Sequence, residues 1–431
     1  MCRRYSLAAR FVLISVCLVL TNGASASASD TFTVLYDFNY YTGAGPVGDL
    51  IFDSAGNLYG TTIYGGLESP NCYSDCGVVF ELSPSGDGWT YKVLYYFTGG
   101  YDGGEPHGRL TLDSEGNLYG TAYVGGLTEN CPTGCGTVFE LSPSGGNWTF
   151  TLLHSFNGSD GSAPWTGLTP DNSGNLYGTT SGEFGEAAST IFELAPSGSG
   201  GWTFSTLYYP SYSDGTVLLS DLAIDGLGNL YGAALRGGSS GPNCLAGNGC
   251  GTVFELSPSG ASWKFRVLHT FQGVKKGAKW GDGVGPWGAL ALDSAGNVYG
   301  TTSSGGRTYG GGTVFKVFQS AGKWKEQILH RFGATPTDGA EPFGGLTIDK
   351  AGSLYGTTNN GGPSDCGTIF KLTPGQKGSG WRFTSVHSFN CLPDGANPSA
   401  GVIPGALGNL YGATTSEGDG FEGTIFELSP Q

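Results

Sequence analysis

The residues most able to do chemistry are five histidines and the carboxylates around them, since imidazole serves as acid, base or metal ligand near neutral pH. Four of them, His154, His269, His330 and His387, occupy one recurring place in a segment of the type Leu-His-Ser-Phe, where Tyr95 and Tyr208 stand in other copies. A position that recurs and accepts tyrosine reads as a packing position, so these four are given no catalytic or metal role. His107 differs: it follows Pro106, and its counterparts are Val47, Trp165, Leu219, Trp287, Phe343 and Ser399. His107, Trp165, Trp287 and Phe343 would offer stacking surfaces to a sugar ring or a peptide. They would equally well plug a channel and pack on each other. Nearby stand the non-repeated charges Asp49, Arg109 and Asp221. With His107 they form the set on which a polysaccharide hydrolase or lyase would draw, although glycoside hydrolysis needs a carboxylate pair whose separation the spacing does not supply.

The remaining carboxylates have a structural reading. Asp102, Asp160, Asp214, Asp282, Asp338 and Asp394 each precede glycine, and Asp-Gly makes turns in which the side chain accepts from nearby backbone N–H groups. Asp53, Asp113, Asp171, Asp225, Asp293 and Asp349 sit in tight hairpins of the type Asp-Ser-x-Gly. One long insert, residues 272–285, carries Trp280 with Lys275, Lys276 and Lys279, a site where specificity could reside. No His-Glu-x-x-His helix or Walker loop is present. No catalytic residue, metal or cofactor is assigned. The candidate ligand-binding set is His107, Arg109, Trp165, Trp280, Trp287 and Phe343.

The elements that must position these residues are repeats. A phrase of the type Gly-Asn-Leu-Tyr-Gly recurs around Tyr59, Tyr119, Tyr177, Tyr231, Tyr299, Tyr355 and Tyr411. A second, of the type Gly-Thr-Val-Phe-Glu-Leu, follows with Phe80, Phe139, Phe192, Phe254, Phe315, Phe370 and Phe426. A third starts at Trp89, Trp148, Trp202, Trp263, Trp324 and Trp381, and a fourth, exemplified by Leu110-Thr111-Leu112-Asp113, precedes the tyrosine phrase. Each is short, rich in β-branched and aromatic residues and flanked by turn formers, which is the signature of a strand. In order they are strands a (Leu-Thr-Leu type), b (tyrosine phrase), c (phenylalanine phrase) and d (tryptophan phrase). Four antiparallel strands written seven times predict an all-β, seven-bladed β-propeller. The chain opens on a d-type strand at residues 32–38 and ends on a c-type strand at residues 423–428. Pairing the two would close the ring and remove two bare sheet edges.

The combination Asn-Leu-Tyr-Gly-Thr-Thr, Gly-Gly, Gly-Thr-Val-Phe-Glu-Leu and Asp-Gly-x-x-Pro resembles the GloVer tandem-repeat family of bacterial extracellular proteins, over essentially the whole chain beyond its first segment. The resemblance implies secretion or surface display. It brings no activity and no catalytic residues.

Location has its own signals. Arg3, Arg4 and Arg10, the apolar run from Phe11 to Leu20 and the small-residue exit around Ala24-Ser25-Ala26-Ser27-Ala28 read as a signal peptide over residues 1–28. Residues 29–431 would then form one propeller domain, with no stable membrane span. Of ten cysteines, Cys2 and Cys17 leave with the signal. In an exported chain the others read as disulfides: Cys72/Cys76, Cys131/Cys135 and Cys244/Cys250 inside single b–c loops, and Cys366/Cys391 between a b–c loop and the next d–a loop. Those loop types leave a four-stranded up-and-down blade on the same side, so the last bridge is a consequence of the fold. A zinc site from Cys72, Cys76, Cys131 and Cys135 is the alternative.

Composition bounds the rest. Glycine accounts for 79 of 431 residues, charged residues for 13% and aromatics for 13%. Twenty Lys and Arg stand against 35 Asp and Glu, a formal charge of −15. That balance argues against a nucleic-acid or anionic-membrane partner, since both need clustered cations. The expected protein is a secreted, extracellular or periplasmic, monomeric propeller that binds a glycan or peptide at its d–a/b–c face. A propeller enzyme acting on extracellular polysaccharide and a purely structural repeat protein are the alternatives.

Overall fold

The computed structural model describes residues 30–429, apart from 87, 183–188, 199, 240–243, 245–247, 275–279, 308–310 and 377–379. The signal segment and Lys275, Lys276 and Lys279 lie outside the described residues. Seven antiparallel sheets follow one another around a ring, at residues 51–96, 111–155, 169–208, 223–270, 284–331, 347–388 and 403–429. The seventh takes its outer strand from the other end of the chain. Thr31–Asp37 pairs with Thr424–Ser429, with Phe32 opposite Leu428 and Val34 opposite Phe426. The predicted closure is therefore present.

Two details differ from the sequence-based expectation. Strand a is only two residues long in each blade, Ile51–Phe52 and Thr111–Leu112 for example. The seven inner strands converge on one axis, and they stop where neighbours crowd. Blade five also gains a fifth strand, Val284–Pro286, which pairs with Val298–Ser304. It is made from the end of the long insert.

The repeated phrases have physical explanations. The glycine that follows the tyrosine in each phrase lies under the ring of a strand-c phenylalanine: a Cβ on Gly60 would stand 2.6 Å from Phe80 Cζ, and one on Gly178 2.4 Å from Phe192 Cζ. Any side chain there would displace the ring. The hairpin aspartates organise the a–b turn. Asp53 Oδ1 accepts from the Ala55 and Asn57 N–H at 2.8 and 2.9 Å, and Oδ2 accepts from Asn57 Nδ2 and the Tyr59 hydroxyl at 2.7 and 3.1 Å. Burial alone would raise its pKa; these donors overcome that and hold it below the ordinary carboxylate value. Every d strand carries a bulge at the same register, as between Val79 and Phe80 or Val138 and Phe139 on its partner. A bulge re-aims side chains. Here it brings the Tyr95 hydroxyl within 3.0 Å of Asp102 Oδ2 and His154 Nε2 within 3.0 Å of Asp160 Oδ2. The recurring histidine is thus a strand-to-loop tie that tyrosine can replace.

Hydrophobic clusters lie between blades. Phe97, Leu110 and Leu118 pack with Phe139 and Leu141 and with Tyr59 and Val79 of the preceding blade. Among the described residues thirteen phenylalanines are fully buried, each contributing about 2–3 kcal/mol by area.

Candidate functional site

Strand a is preceded in every blade by a tetrapeptide of the form x-Gly-y-Leu or a close variant, for example Val47-Gly48-Asp49-Leu50 and His107-Gly108-Arg109-Leu110. These segments line the axis of the ring. Their glycines allow a close approach: a Cβ on Gly108 would stand 2.4 Å from the Gly167 nitrogen and one on Gly288 2.3 Å from the Gly344 carbonyl oxygen. The x positions therefore meet at one mouth. Val47, His107, Trp165, Leu219, Trp287, Phe343 and Ser399 all border one cavity, together with Asp49, Arg109 and Asp221. The structure gathers these residues around one cavity, and Trp280 alone of the candidate ligand set stands apart from it. Trp280 is half-exposed on the insert, with the Arg307 guanidinium 4.8 Å from its ring.

The mouth is packed rather than open. The His107 ring stacks on Trp165 at 3.7 Å, Trp165 meets Trp287 edge-on at 6.1 Å, and Trp287 meets Phe343 at 5.1 Å. Tyr123, from a b–c loop, closes on His107 and Trp165 at 5.1 and 5.3 Å. The space left is about 60 Å³. Ligand pockets usually measure about 300–1,000 Å³, so this one holds about two waters. His107 is 7% exposed and its Nδ1 has no hydrogen-bond partner. Loss of water pushes its pKa down to about 3, so the ring is neutral at physiological pH.

Below the rings lie the three charges. Arg109 Nε is 3.6 Å from Asp221 Oδ2. Asp221 Oδ1 accepts from the Gly167 N–H at 2.8 Å, and Asp49 Oδ1 accepts from the Gly401 N–H at 2.6 Å. Each aspartate thus occupies a backbone N–H in the segment just before the inner strand of the preceding blade. Burial and the neighbouring Asp221 raise the Asp49 pKa, against the pull of Arg109 and the Gly401 N–H. That is the environment of a carboxyl able to hold a proton.

The wider d–a/b–c side of the ring carries a feature that motif reading missed. The two loop types do share one side: Ala44 bridges Tyr64, Gly104 bridges Val124 and Ala396 bridges Ser416. The disulfides agree, with Cys72–Cys76, Cys131–Cys135 and Cys244–Cys250 inside loops and Cys366–Cys391 between them. This pairing consumes the thiols of the alternative zinc site. Among the described residues, no group of three or more His, Cys, Asp or Glu is placed to hold a metal ion, and no helix is long and apolar enough to cross a membrane. Of thirteen large hydrophobic side chains exposed among the described residues, only Leu227 and Leu407 lie in a–b hairpins. The other eleven are on the d–a/b–c side, with Tyr41 80%, Tyr73 97%, Tyr101 70% and Phe421 64% exposed. Seven of the eleven are tyrosine or phenylalanine, and the only sequence signal for those was an aromatic residue in a loop rich in Gly, Ser, Asn and Asp.

The chain matches the family described as Gloeobacter/Verrucomicrobia repeat over residues 24–246 and again over 243–431. No curated protein matches it. Among solved structures, it is similar to PorZ, a bacterial surface component of the type-IX secretion system of Porphyromonas gingivalis. Identity is 14%, TM-score 0.50, with 88% of this chain and 46% of that one covered. The chain thus spans less than half the length of PorZ. It is also similar to a protein described as a 6-phosphogluconolactonase of Bacteroides uniformis, at 12% identity and TM-score 0.49, over 85% of this chain and 89% of that one. At 14% identity the likeness to PorZ is one of fold.

Proposed function

The chain belongs to the Gloeobacter/Verrucomicrobia repeat family, and from that premise we propose that it is a non-enzymatic, exported propeller that binds a glycan or peptide on its d–a/b–c side. Exposed aromatic side chains concentrated on that side support the reading. Tyrosine offers a large, rigid, amphipathic contact at low entropic cost, and it stands here among Ser, Gly and Asn, the composition of surfaces that recognise other molecules. The four disulfides fit an oxidising compartment outside the cytoplasm. The mouth ring of His107, Trp165, Trp287 and Phe343 is the rigid hub of this side.

The test uses exposed residues, because Trp165→Ala would remove packing as well as surface. Glycan and peptide arrays with purified protein identify ligands. The variant Tyr41→Ser/Tyr73→Ser/Tyr101→Ser/Phe421→Ser should lose about tenfold or more in affinity for them, with its melting temperature close to that of the unsubstituted protein. Absence of any array ligand, or unchanged affinity in this variant, overturns the reading.

A second reading, a hydrolase or lyase acting on extracellular polysaccharide, has one observation in its favour: Asp49 with its raised pKa beside Asp221 and Arg109. It predicts turnover on a polysaccharide panel that Asp49→Asn abolishes. A purely structural role is what remains if neither binding nor turnover is found.

A further inference from the structure

Charge is unevenly divided around the ring. Residues 209–393, which build blades four to six and their connecting loops, hold 15 Lys and Arg against eleven Asp and Glu. The rest of the chain from residue 30, which builds blades seven, one, two and three, holds two cations, Lys92 and Arg109, against 24 carboxylates. Arg109 lines the channel mouth, with its side chain 35% exposed, so Lys92 is the one cation this arc shows at its outer edge.

Each half has a surface that concentrates its sign. On the cationic arc it is the outward face of the d strands, where side chains alternate between solvent and blade. Lys264 and Arg266 in blade four, Lys323 and Lys325 in blade five and Arg382 in blade six all point outward and are exposed. Arg266 is tied to Glu255. Lysine on an edge strand can simply discourage edge-to-edge pairing. The positions of Lys264 and Arg266 are uncharged in three of the other blades, as Thr149 and Thr151, Thr203 and Ser205, and Thr31 and Thr33, and blade one carries only Lys92 there, so the fold does not need a row of cations for that purpose. On the acidic arc the surface is the d–a/b–c side of blades seven, one and two, whose loops expose Asp419, Glu68 and Glu129 together with Phe421, Tyr73 and Tyr101.

We propose that these two surfaces are complementary, and that the cationic outer edge of blades four to six docks on the acidic, aromatic d–a/b–c side of blades seven, one and two of a second copy of this chain. Opposed charges give the contact its register and speed, and the tyrosine and phenylalanine faces receive the lysine and arginine heads. The overall negative charge does not prevent it. At physiological salt the Debye length is about 8 Å, while a four-stranded blade is about 15–20 Å across, so each arc acts through its own charges. The two surfaces lie on different parts of the molecule. The contact is heterologous and propagates into open chains or a ring rather than stopping at a symmetric dimer. It uses the same side of the ring as the proposed ligand site, so it rests on that reading only for location.

Sedimentation velocity on the purified protein tests it. Concentration-dependent association is expected at about 0.01 M salt and should vanish towards about 1 M, as the Debye length falls from about 30 to about 3 Å. Lys264→Glu/Lys323→Glu/Lys325→Glu and Glu68→Lys/Glu129→Lys/Asp419→Lys should each sediment as monomers, and an equimolar mixture of the two should associate again. A monomeric unsubstituted protein at low salt and high concentration overturns the proposal. So does a mixture that fails to associate while both variants keep the unsubstituted protein's circular dichroism. Oligolysine binding to the acidic side of a protein that stays monomeric would assign that side to another cationic partner and also overturn it. Ligand binding on the arrays is read separately, so a monomer that still binds its array ligand leaves the proposed function standing.

Discussion

His107 shows how one residue couples packing to pH. Its ring is stacked on Trp165 and enclosed, and its pKa is pushed down to about 3 by loss of water, against about 6.5 in an unfolded chain. A histidine depressed in the folded state contributes stability that is complete above the unfolded pKa and is lost as pH falls towards the folded one. Stability should therefore decline from about pH 6.5 downward, by about 1.4 kcal/mol per pH unit from this residue. His387, also lowered chiefly by burial despite Asp394, adds to the decline. Asp49, raised by burial and by Asp221, acts in the opposite direction at lower pH. Urea unfolding at pH 7 and pH 4.5 should show the protein about 2 kcal/mol less stable at the lower pH on this account. His107→Phe, which keeps the stack and removes the orphaned nitrogen, should flatten most of that slope. An equally steep slope in the variant would mean that His107 is not the titrating group. The identity of the mouth residues was legible from their place after the Pro-x or Asp-Gly turn. Their mutual stacking was not, because it depends on how seven distant segments converge.

At the scale of elements, the Cys366–Cys391 bridge follows from strand order alone. It joins a b–c loop to the next d–a loop over 25 residues, whereas the other three bridges span four to six. Loop-closure entropy then predicts that Cys366→Ser/Cys391→Ser costs about 3 kcal/mol and Cys72→Ser/Cys76→Ser about 2 kcal/mol. Chemical denaturation of the two variants checks the order, and a larger loss from the short bridge would contradict it. The strand phrases were readable because each carries its own reason: glycine under a phenylalanine ring, aspartate gathering the N–H groups of a hairpin. The length of strand a and the extra strand of blade five were not. Both depend on crowding at the axis and on where a long insert returns to the sheet.

The whole molecule depends on its closure. Removing residues 30–38 would strip Phe32, Phe38 and Tyr36 from the seam, where Tyr36 stacks on Tyr91 at 4.0 Å and Phe38 packs on Phe80 at 5.3 Å. It would also bare the edge of Thr424–Ser429. The loss in buried area alone is about 5 kcal/mol or more, comparable with the whole stability of many domains. The truncated protein should be unfolded or edge-associated, as read by near-ultraviolet circular dichroism and sedimentation. An unchanged monomer with an unchanged melting temperature would show that the ring does not rely on this latch.

By itself the sequence determined the number of blades, the strand order and the latch, since each is written in local patterns that repeat, and it left the cysteines open between disulfides and a zinc site. Tertiary structure alone decided that the mouth is filled by its own aromatic rings, that Asp49 and Asp221 bind backbone N–H groups of neighbouring blades, and that exposed tyrosines gather on one side. Those facts concern which residues of different repeats come to share water or exclude it, and only the radius and twist of the closed ring set that.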